Sequence, residues 1–292
     1  MAQNTRLTNS TPGLEALLRC PSGPIDVERD FDPGAITGFP GRGKGDVARL
    51  YEAMTPRLDD MQERLYASSR TPTGQPASVL VVLQGMDTAG KSGAIRNVIG
   101  MVDPQGVHIH AFKQPTPEEL RHDFLWRVRE ALPEPGMIGI FDRSQYEDVL
   151  IGRVNQLAPA EEIEARYGLI NQFERNLSDM GMRVVKFFLN VSHTEQRKRL
   201  LARLDDPRKY WKYSADDLSV RAKWDQYMQA YAIMLQRCNQ DDAPWHVIAS
   251  DHKWYRNWAI AQILSEVLAG MNLTWPPASF DVAEERAKVR AS

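Results

Sequence analysis

The apolar run Val79-Leu80-Val81-Val82-Leu83 leads through Gln84 into Gly85-Met86-Asp87-Thr88-Ala89-Gly90-Lys91-Ser92, which satisfies the spacing G-x-x-x-x-G-K-[ST]. No other feature narrows the fold so far. A strand must precede the glycines and a helix must follow them, because such a loop turns its backbone amides inward where the helix dipole also points at an anion. Gly85, Met86, Thr88, Ala89, Gly90 and Gly93 are the candidate phosphate cradle, Lys91 adds a point charge, and Ser92 supplies a hydroxyl able to hold Mg²⁺. Asp87 is the odd member. A carboxylate among phosphates is repelled unless it meets a metal ion or a cationic partner, so it is expected to hold Mg²⁺ or to orient an acceptor phosphate.

Four more short apolar runs follow, at 107–112, 137–141, 184–191 and 245–249, and the first strand is expected at 78–83. Segments long enough for helices separate them, which is the pattern of βαβ units on a parallel sheet. Before the sheet, Val47, Leu50, Met54, Leu58, Met61 and Leu65 recur at three and four, predicting an amphipathic helix over 46–69. Pro, Gly and Asp crowd residues 21–46, so 1–45 is expected to be an irregular arm with its first dozen residues mobile. Residues 276–292 read as a polar, partly disordered tail after a domain at 46–275. Four capping boxes mark helix starts: Thr116 with Glu119, Ser144 with Glu147, Ser192 with Glu195 and Ser214 with Asp217. With 42% hydrophobic and 25% charged residues the chain is globular, and two cysteines build neither a zinc cluster nor a disulfide framework. A net charge of −2 and the lack of a recognised binding module argue against nucleic acid as partner. Neither a signal peptide nor an apolar run near the roughly 18 residues of a membrane span is found, so no membrane partner and a cytoplasmic location are expected.

The run 137–141 ends in Asp142-Arg143-Ser144-Gln145-Tyr146-Glu147. An apolar strand ending in Asp puts a carboxylate at the carboxyl edge of the sheet beside the glycine loop, where Asp142 reaches a metal and Arg143 faces a transferring phosphoryl group. Glu147 has a capping role with Ser144 as its structural alternative. Residues 195–223 carry nine basic against five acidic side chains around an Asp-Pro break. Arg203, Arg208, Lys209 and Lys212 there suit a mobile lid at about 203–223 that brings cations onto phosphates, or else a solvated helix face. Lys113, with Arg121 and Arg127 beyond it, extends the positive surface. Trp254 and Trp258, at i and i+4, read as helix packing.

Taken together, GMDTAGKSG, AFKQPTPEELRHDFLWR, FDRSQYEDVLIGRV, RLDDPRKYWKYS with KWDQY, and APWHVI with KWYRNW resemble polyphosphate kinase family 2 from about residue 45 to about 280. The resemblance implies a P-loop α/β/α sandwich similar to thymidylate kinase, with a parallel sheet, a helical lid and an N-terminal extension. It implies phosphoryl transfer between inorganic polyphosphate and adenine or guanine nucleotides with Mg²⁺, or Mn²⁺ in its place, and a homodimer or homotetramer. Asp87, Lys91, Asp142 and Arg143 would form the catalytic centre, with Asp87 and Asp142 toward the metal, and the RLDDPRKYWK cations would line the polyphosphate path. Glu147, where diphosphate-restricted members tend to have Asn, resembles members that also accept monophosphates. Ser92 and Asp142 depart from common family residues. The competing expectations are an ATP-dependent nucleoside or nucleotide kinase of thymidylate kinase type and a non-catalytic phosphate-binding regulator, the latter disfavoured by the absence of an N-K-x-D guanine signature.

Overall fold

The apolar runs rich in Val, Ile, Leu and Phe form five parallel strands in the spatial order β2-β3-β1-β4-β5. In this computed structural model, which describes residues 12–70 and 77–292, the chain runs α1 (Leu14–Leu18), α2 (Val27–Asp30), α3 (Val47–Ser68), β1 (Ser78–Gln84), α4 (Lys91–Ile99), β2 (Val107–Ala111), α5 (Trp126–Glu130) and β3 (Ile138–Asp142). It continues through α6 (Glu147–Val154), α7 (Ala160–Asp179), β4 (Met182–Asn190), α8 (His193–Leu204), a 3₁₀ segment (Pro207–Lys212), α9 (Asp216–Ala222), α10 (Trp224–Arg237), β5 (Trp245–Ala249), α11 (Lys253–Gly270) and α12 (Val282–Ala291). All five strands stand within two residues of their expected places.

Parallel strands buried on both faces need apolar side chains in both directions, and every residue of β1 is buried. Val81 and Leu83 lie against Ala94 and Val98 of α4 and Ile260 and Leu264 of α11. On the opposite face Lys186 and Phe188 of β4, level with Val82 and Gln84, meet Glu174 of α7 and Tyr231 of α10. Helices therefore flank the sheet on both sides. The β1–β3 register pairs Leu83 with Asp142, so the glycine loop and the Asp142 loop leave the sheet side by side at its carboxyl edge. The direction in which successive strands are added across the sheet reverses about β1, which has β3 on one side and β4 on the other, and such a switch point opens a crevice for ligands.

The arm differs from the irregular segment expected. Asp26 caps the single turn α2 by accepting from the Arg29 N–H, which the density of prolines and glycines around it conceals. Arg19 bridges His246 antiparallel, and the Cys20 N–H donates to the Trp245 carbonyl at 2.7 Å, closing the β5 edge. Leu14, Ile25 and Val27 join the core, and Phe39 wedges edge-on between Trp254 and Trp258, each ring at 4.9 Å. The expectation for the first dozen residues falls, except at Pro12, outside the described residues. The tail is polar and exposed as expected, and within it Asp281 accepts from the Ala283 and Glu284 N–H groups and starts α12, none of whose residues is buried. Among the described residues no helix is long and apolar enough to cross a membrane.

Of the capping boxes, Thr116 and Glu119 close both bonds, at 3.2 and 2.7 Å, but open one 3₁₀ turn rather than α5. Ser192 accepts from the Glu195 N–H, while the Glu195 carboxylate turns to Arg199 and Asp251 takes the Ser192 N–H. Ser214 accepts from the Asp216 N–H, and Asp217 reaches back to the Ser214 N–H at 3.5 Å.

Because Leu14 is 5% exposed against α11, Leu14→Ala should cost about 2–5 kcal/mol in urea unfolding, the ordinary range for a buried leucine. A change inside about 0.5 kcal/mol would mean the arm lies loosely on the surface.

Candidate active site

Gly85 and Gly90 hold the loop at φ 150° and 110°, conformations that a side chain resists. Space forbids one as well: a Cβ at Gly85 would lie 2.7 Å from the Leu189 carbonyl oxygen, and one at Gly90 only 1.8 Å from Arg256 Nη1. Lys91 begins α4 and folds back over the loop, its Nζ donating to the Gly85 carbonyl at 2.7 Å. Burial and then the Arg143 charge lower its pKa, against the pull of Asp142, Asp87 and Glu147. Ser92 Oγ stands 3.4 Å from Asp142 Oδ2, so the hydroxyl of one loop and the carboxylate of the other meet across β1 and β3.

Arg143 is the hinge of the charge pattern. It pairs with Asp87 at 2.8 Å and with Glu147 at 3.1 Å, and not with Asp142, its neighbour in sequence. Burial opposes the guanidinium charge, but Glu147 and Asp87 outweigh it and raise the pKa above its ordinary value. Asp87 has thus met the cationic partner that a carboxylate in a phosphate loop requires. Thr88 and Arg143 both sit at left-handed φ, 66° and 69°, the kind of backbone strain that clusters at functional sites.

The Ser144–Glu147 box is not formed. Ser144 Oγ accepts from Gln84 Nε2 at 3.0 Å and from the Tyr146 N–H at 3.3 Å, which leaves the Glu147 carboxylate free for Arg143. Lys113 lies one residue beyond the Phe112 N–H bond to the Asp142 carbonyl, with its side chain exposed at the same edge. Arg127 and Arg121 do not extend that surface. Arg127 is 8% exposed and bonds the Lys113 carbonyl and Glu119, and Arg121 pairs with Glu118.

The segment expected to form a lid lies beside the loop, and its cations are engaged unequally. Arg203 is held by the Lys212 carbonyl and by Asp217 at 3.1 Å. Arg208 and Lys209 both pair with Asp206, and Lys212 Nζ lies 4.9 Å over the Trp211 ring. Asp217 feels the site directly, since its pKa is raised by burial and then by the Asp87 charge.

Three further side chains that the sequence pattern did not single out hold the loop from behind. Arg199 Nη1 donates to the Thr88 and Ala89 carbonyls at 2.9 and 3.2 Å, while its Nη2 reaches those of Ser250 and Asp251. Arg256 donates to the Ala89 carbonyl at 2.9 Å, and burial with the neighbouring Arg199 lowers its pKa to about 10. Gln196 donates to the Asp87 carbonyl and accepts from Arg221 of α9.

A parallel sheet whose central strand delivers a glycine loop and lysine, with aspartate and arginine at the end of the next strand, defines a kinase of the P-loop class. The chain belongs to the polyphosphate kinase 2 (PPK2) family, whose model matches residues 49–275. It is 43% identical over 256 residues to an AMP/ADP-polyphosphate phosphotransferase of Meiothermus ruber, covering 88% of this chain and 93% of that one. An ADP-polyphosphate phosphotransferase of Rhodopseudomonas palustris is 41% identical, over 78% of this chain and 81% of its own. Among solved structures, a polyphosphate kinase 2 from Arthrobacter aurescens TC1 superposes with a TM-score of 0.92 at 48% identity, covering 96% and 98% of the two chains.

Arg199→Lys keeps the charge but not the planar fork that spans four carbonyls. It should lower stability by about 2 kcal/mol through buried carbonyls left without donors, and raise hydrogen exchange over 86–91 selectively. Exchange in that loop equal to wild type would mean Arg199 does not shape it.

Proposed function

We propose that this chain transfers the terminal phosphoryl group of inorganic polyphosphate to AMP and to ADP, through Asp87, Lys91, Asp142 and Arg143. The observation that carries the reading is Arg143 held between Asp87 and Glu147, facing the glycine loop. The names of the M. ruber and R. palustris relatives support the substrates. In-line phosphoryl transfer needs positioning and charge neutralisation more than covalent help. The loop amides and the α4 N-terminus hold one phosphate, Lys91 leaves the Gly85 carbonyl for a phosphate oxygen, and Arg143 faces the group in transit. Asp87 and Glu147 aim Arg143, and they keep the acceptor phosphate on its far side by repulsion.

The residues fit Mg²⁺, or Mn²⁺ on the same donors. Asp142 and Ser92 would hold it. The described residues contain no cluster of three His, Cys, Asp or Glu side chains, and Mg²⁺ takes one or two carboxylates and completes its shell from water and substrate phosphates. Bound there, the ion would neutralise phosphate charge. Asp87, already paired with Arg143, is the lesser candidate.

On this reading the sheet and its two helical layers are a thymidylate kinase-like α/β/α sandwich spanning 46–275, the arm is an N-terminal extension, and 203–223 is the lid. The enzyme is a cytoplasmic homodimer or homotetramer. A purified chain that makes ADP from AMP and ATP from ADP with polyphosphate and Mg²⁺ as the only additions meets the proposal; one that requires ATP as donor does not.

Acceptor range follows from Glu147. A monophosphate is one phosphate shorter than a diphosphate, so its terminal phosphate reaches the transfer point only if the nucleoside moves inward. A carboxylate that fixes Arg143 holds it there, and Asn in that place loses the charge. Glu147→Asn should therefore lose AMP turnover about tenfold more than ADP turnover, a difference of about 1.4 kcal/mol in barrier. Because Glu147 caps no helix with its side chain, the melting temperature should hold. Parallel loss of the two activities would end the selectivity argument.

Polyphosphate carries about one charge per internal phosphate, so its path must be cationic and salt-sensitive. Replacing Arg208, Lys209 and Lys212 together by Ala should raise the polyphosphate KM by about tenfold at low salt and flatten its salt dependence, while nucleotide KM changes less. An unaltered salt slope would make these side chains a solvated surface.

A further inference from the structure

Beneath residues 143–147 lies a buried polar cluster that the reaction itself does not use. Lys186 of β4 and Glu174 of α7, 0% and 1% exposed, meet at 2.5 Å. The other two ammonium protons go to the Tyr146 hydroxyl at 2.8 Å and the Cys238 carbonyl at 2.7 Å. The rings of Trp245 and Tyr146 lie 5.0 and 5.2 Å from Nζ. Glu174 Oε1 in turn accepts from the Tyr146 hydroxyl at 2.7 Å and from Gln145 Nε2 at 2.9 Å. Removing two ions from water is a costly way to fill a core, since apolar side chains of the same volume often serve stability as well or better.

The place where this cluster ends is informative. Ser144, Gln145 and Tyr146 all point inward, the first bonded to Gln84 and the other two to Glu174, while Arg143 and Glu147 on either side point out and meet. The inward residues are each 1% exposed or less. A left-handed arginine backbone persists only where its surroundings over-determine it, and three consecutive anchored side chains do so here. We propose that Glu174 and Lys186 are positioning residues for the transfer: through Tyr146 and Gln145 they fix the 143–147 segment so that Arg143 and Glu147 meet substrate in one arrangement. The inference rests on the roles given to Arg143 and Glu147 above.

The test is a triple apolar replacement, Tyr146→Phe with Glu174→Leu and Lys186→Met, made in the wild type and in an Arg143→Ala background and assayed with polyphosphate, Mg²⁺ and AMP. Replacing all three partners together leaves few orphaned groups, so the variant should fold, with a melting temperature within about 8 °C of wild type. KM values should stay within about twofold while kcat falls about tenfold or more, because misplacement by about 1 Å costs rate rather than binding. In the Arg143→Ala background the replacement should cost much less, as expected when the cluster acts mainly through Arg143, the group that Glu147 itself fixes. Wild-type kcat in the folded triple variant, or equal losses in both backgrounds, would overturn the proposal. Should the triple variant fail to fold, Tyr146→Phe alone, which leaves the ion pair in place, is judged by the same cycle and the same outcomes. Full turnover by Arg143→Ala with the cluster intact overturns the role of Arg143 itself and this inference with it, and is recognisable because it arises without any change at 146, 174 or 186.

Discussion

A loop that turns its amide hydrogens inward on an anion must turn carbonyl oxygens outward, and buried carbonyls need donors. That geometric debt organises the carboxyl edge of this sheet. Arg199 and Arg256 supply the donors, with guanidinium N–H groups already committed to loop carbonyls, and Gln196 supplies another at Asp87. The placement of α8 and α11 against the loop follows, since these are the elements that carry the three side chains. Burial first, and then the charge of the neighbouring Arg199, lower the pKa of Arg256. The fit of its guanidinium against the Cα of Gly90 leaves no room for a methyl group there.

The opposite balance holds in front of the loop. There three carboxylates, Asp87, Asp142 and Glu147, face two cations, Arg143 and Lys91, so the pattern is near neutral rather than strongly basic. A polyanion arriving with its own divalent cation would meet partners for both signs. The chain's net charge of −2 gives no sign of this local arrangement.

The sheet was legible because central parallel strands must be apolar on both faces, and β1, β3 and β5 have no competing pattern. Lys186 shows the limit: a lysine within a strand reads as an interruption, yet it is fully buried because Glu174, twelve residues earlier on another element, receives it. Contacts of that kind are set by packing and leave no local spacing to read. The catalytic candidates were legible since the glycine loop dictates its own geometry, and the β1–β3 register then brings Asp142 and Arg143 alongside. The loop's rear supports were not. Arg199 falls in a stretch of charges that resembles a solvated helix face, and Arg256 follows two aromatic residues that draw attention to packing. The Ser144–Glu147 box failed for a related reason: Gln84, sixty positions away, competes for the hydroxyl.

Helix α8 holds the glycine loop with Gln196 and Arg199 and the segment 212–217 with Arg203, all within two turns. Over seven residues a helix rises only about 10 Å and does not bend appreciably, so the two grips share one rigid rod. The consequence is one of modularity. The segment 206–223, exchanged between relatives at residue 205, would arrive on a rod already fitted to this loop. An exchange at residue 193 would import a foreign set of supports and alter the shape of the phosphate cradle, so that swaps differing by a dozen residues at the junction belong to different experiments.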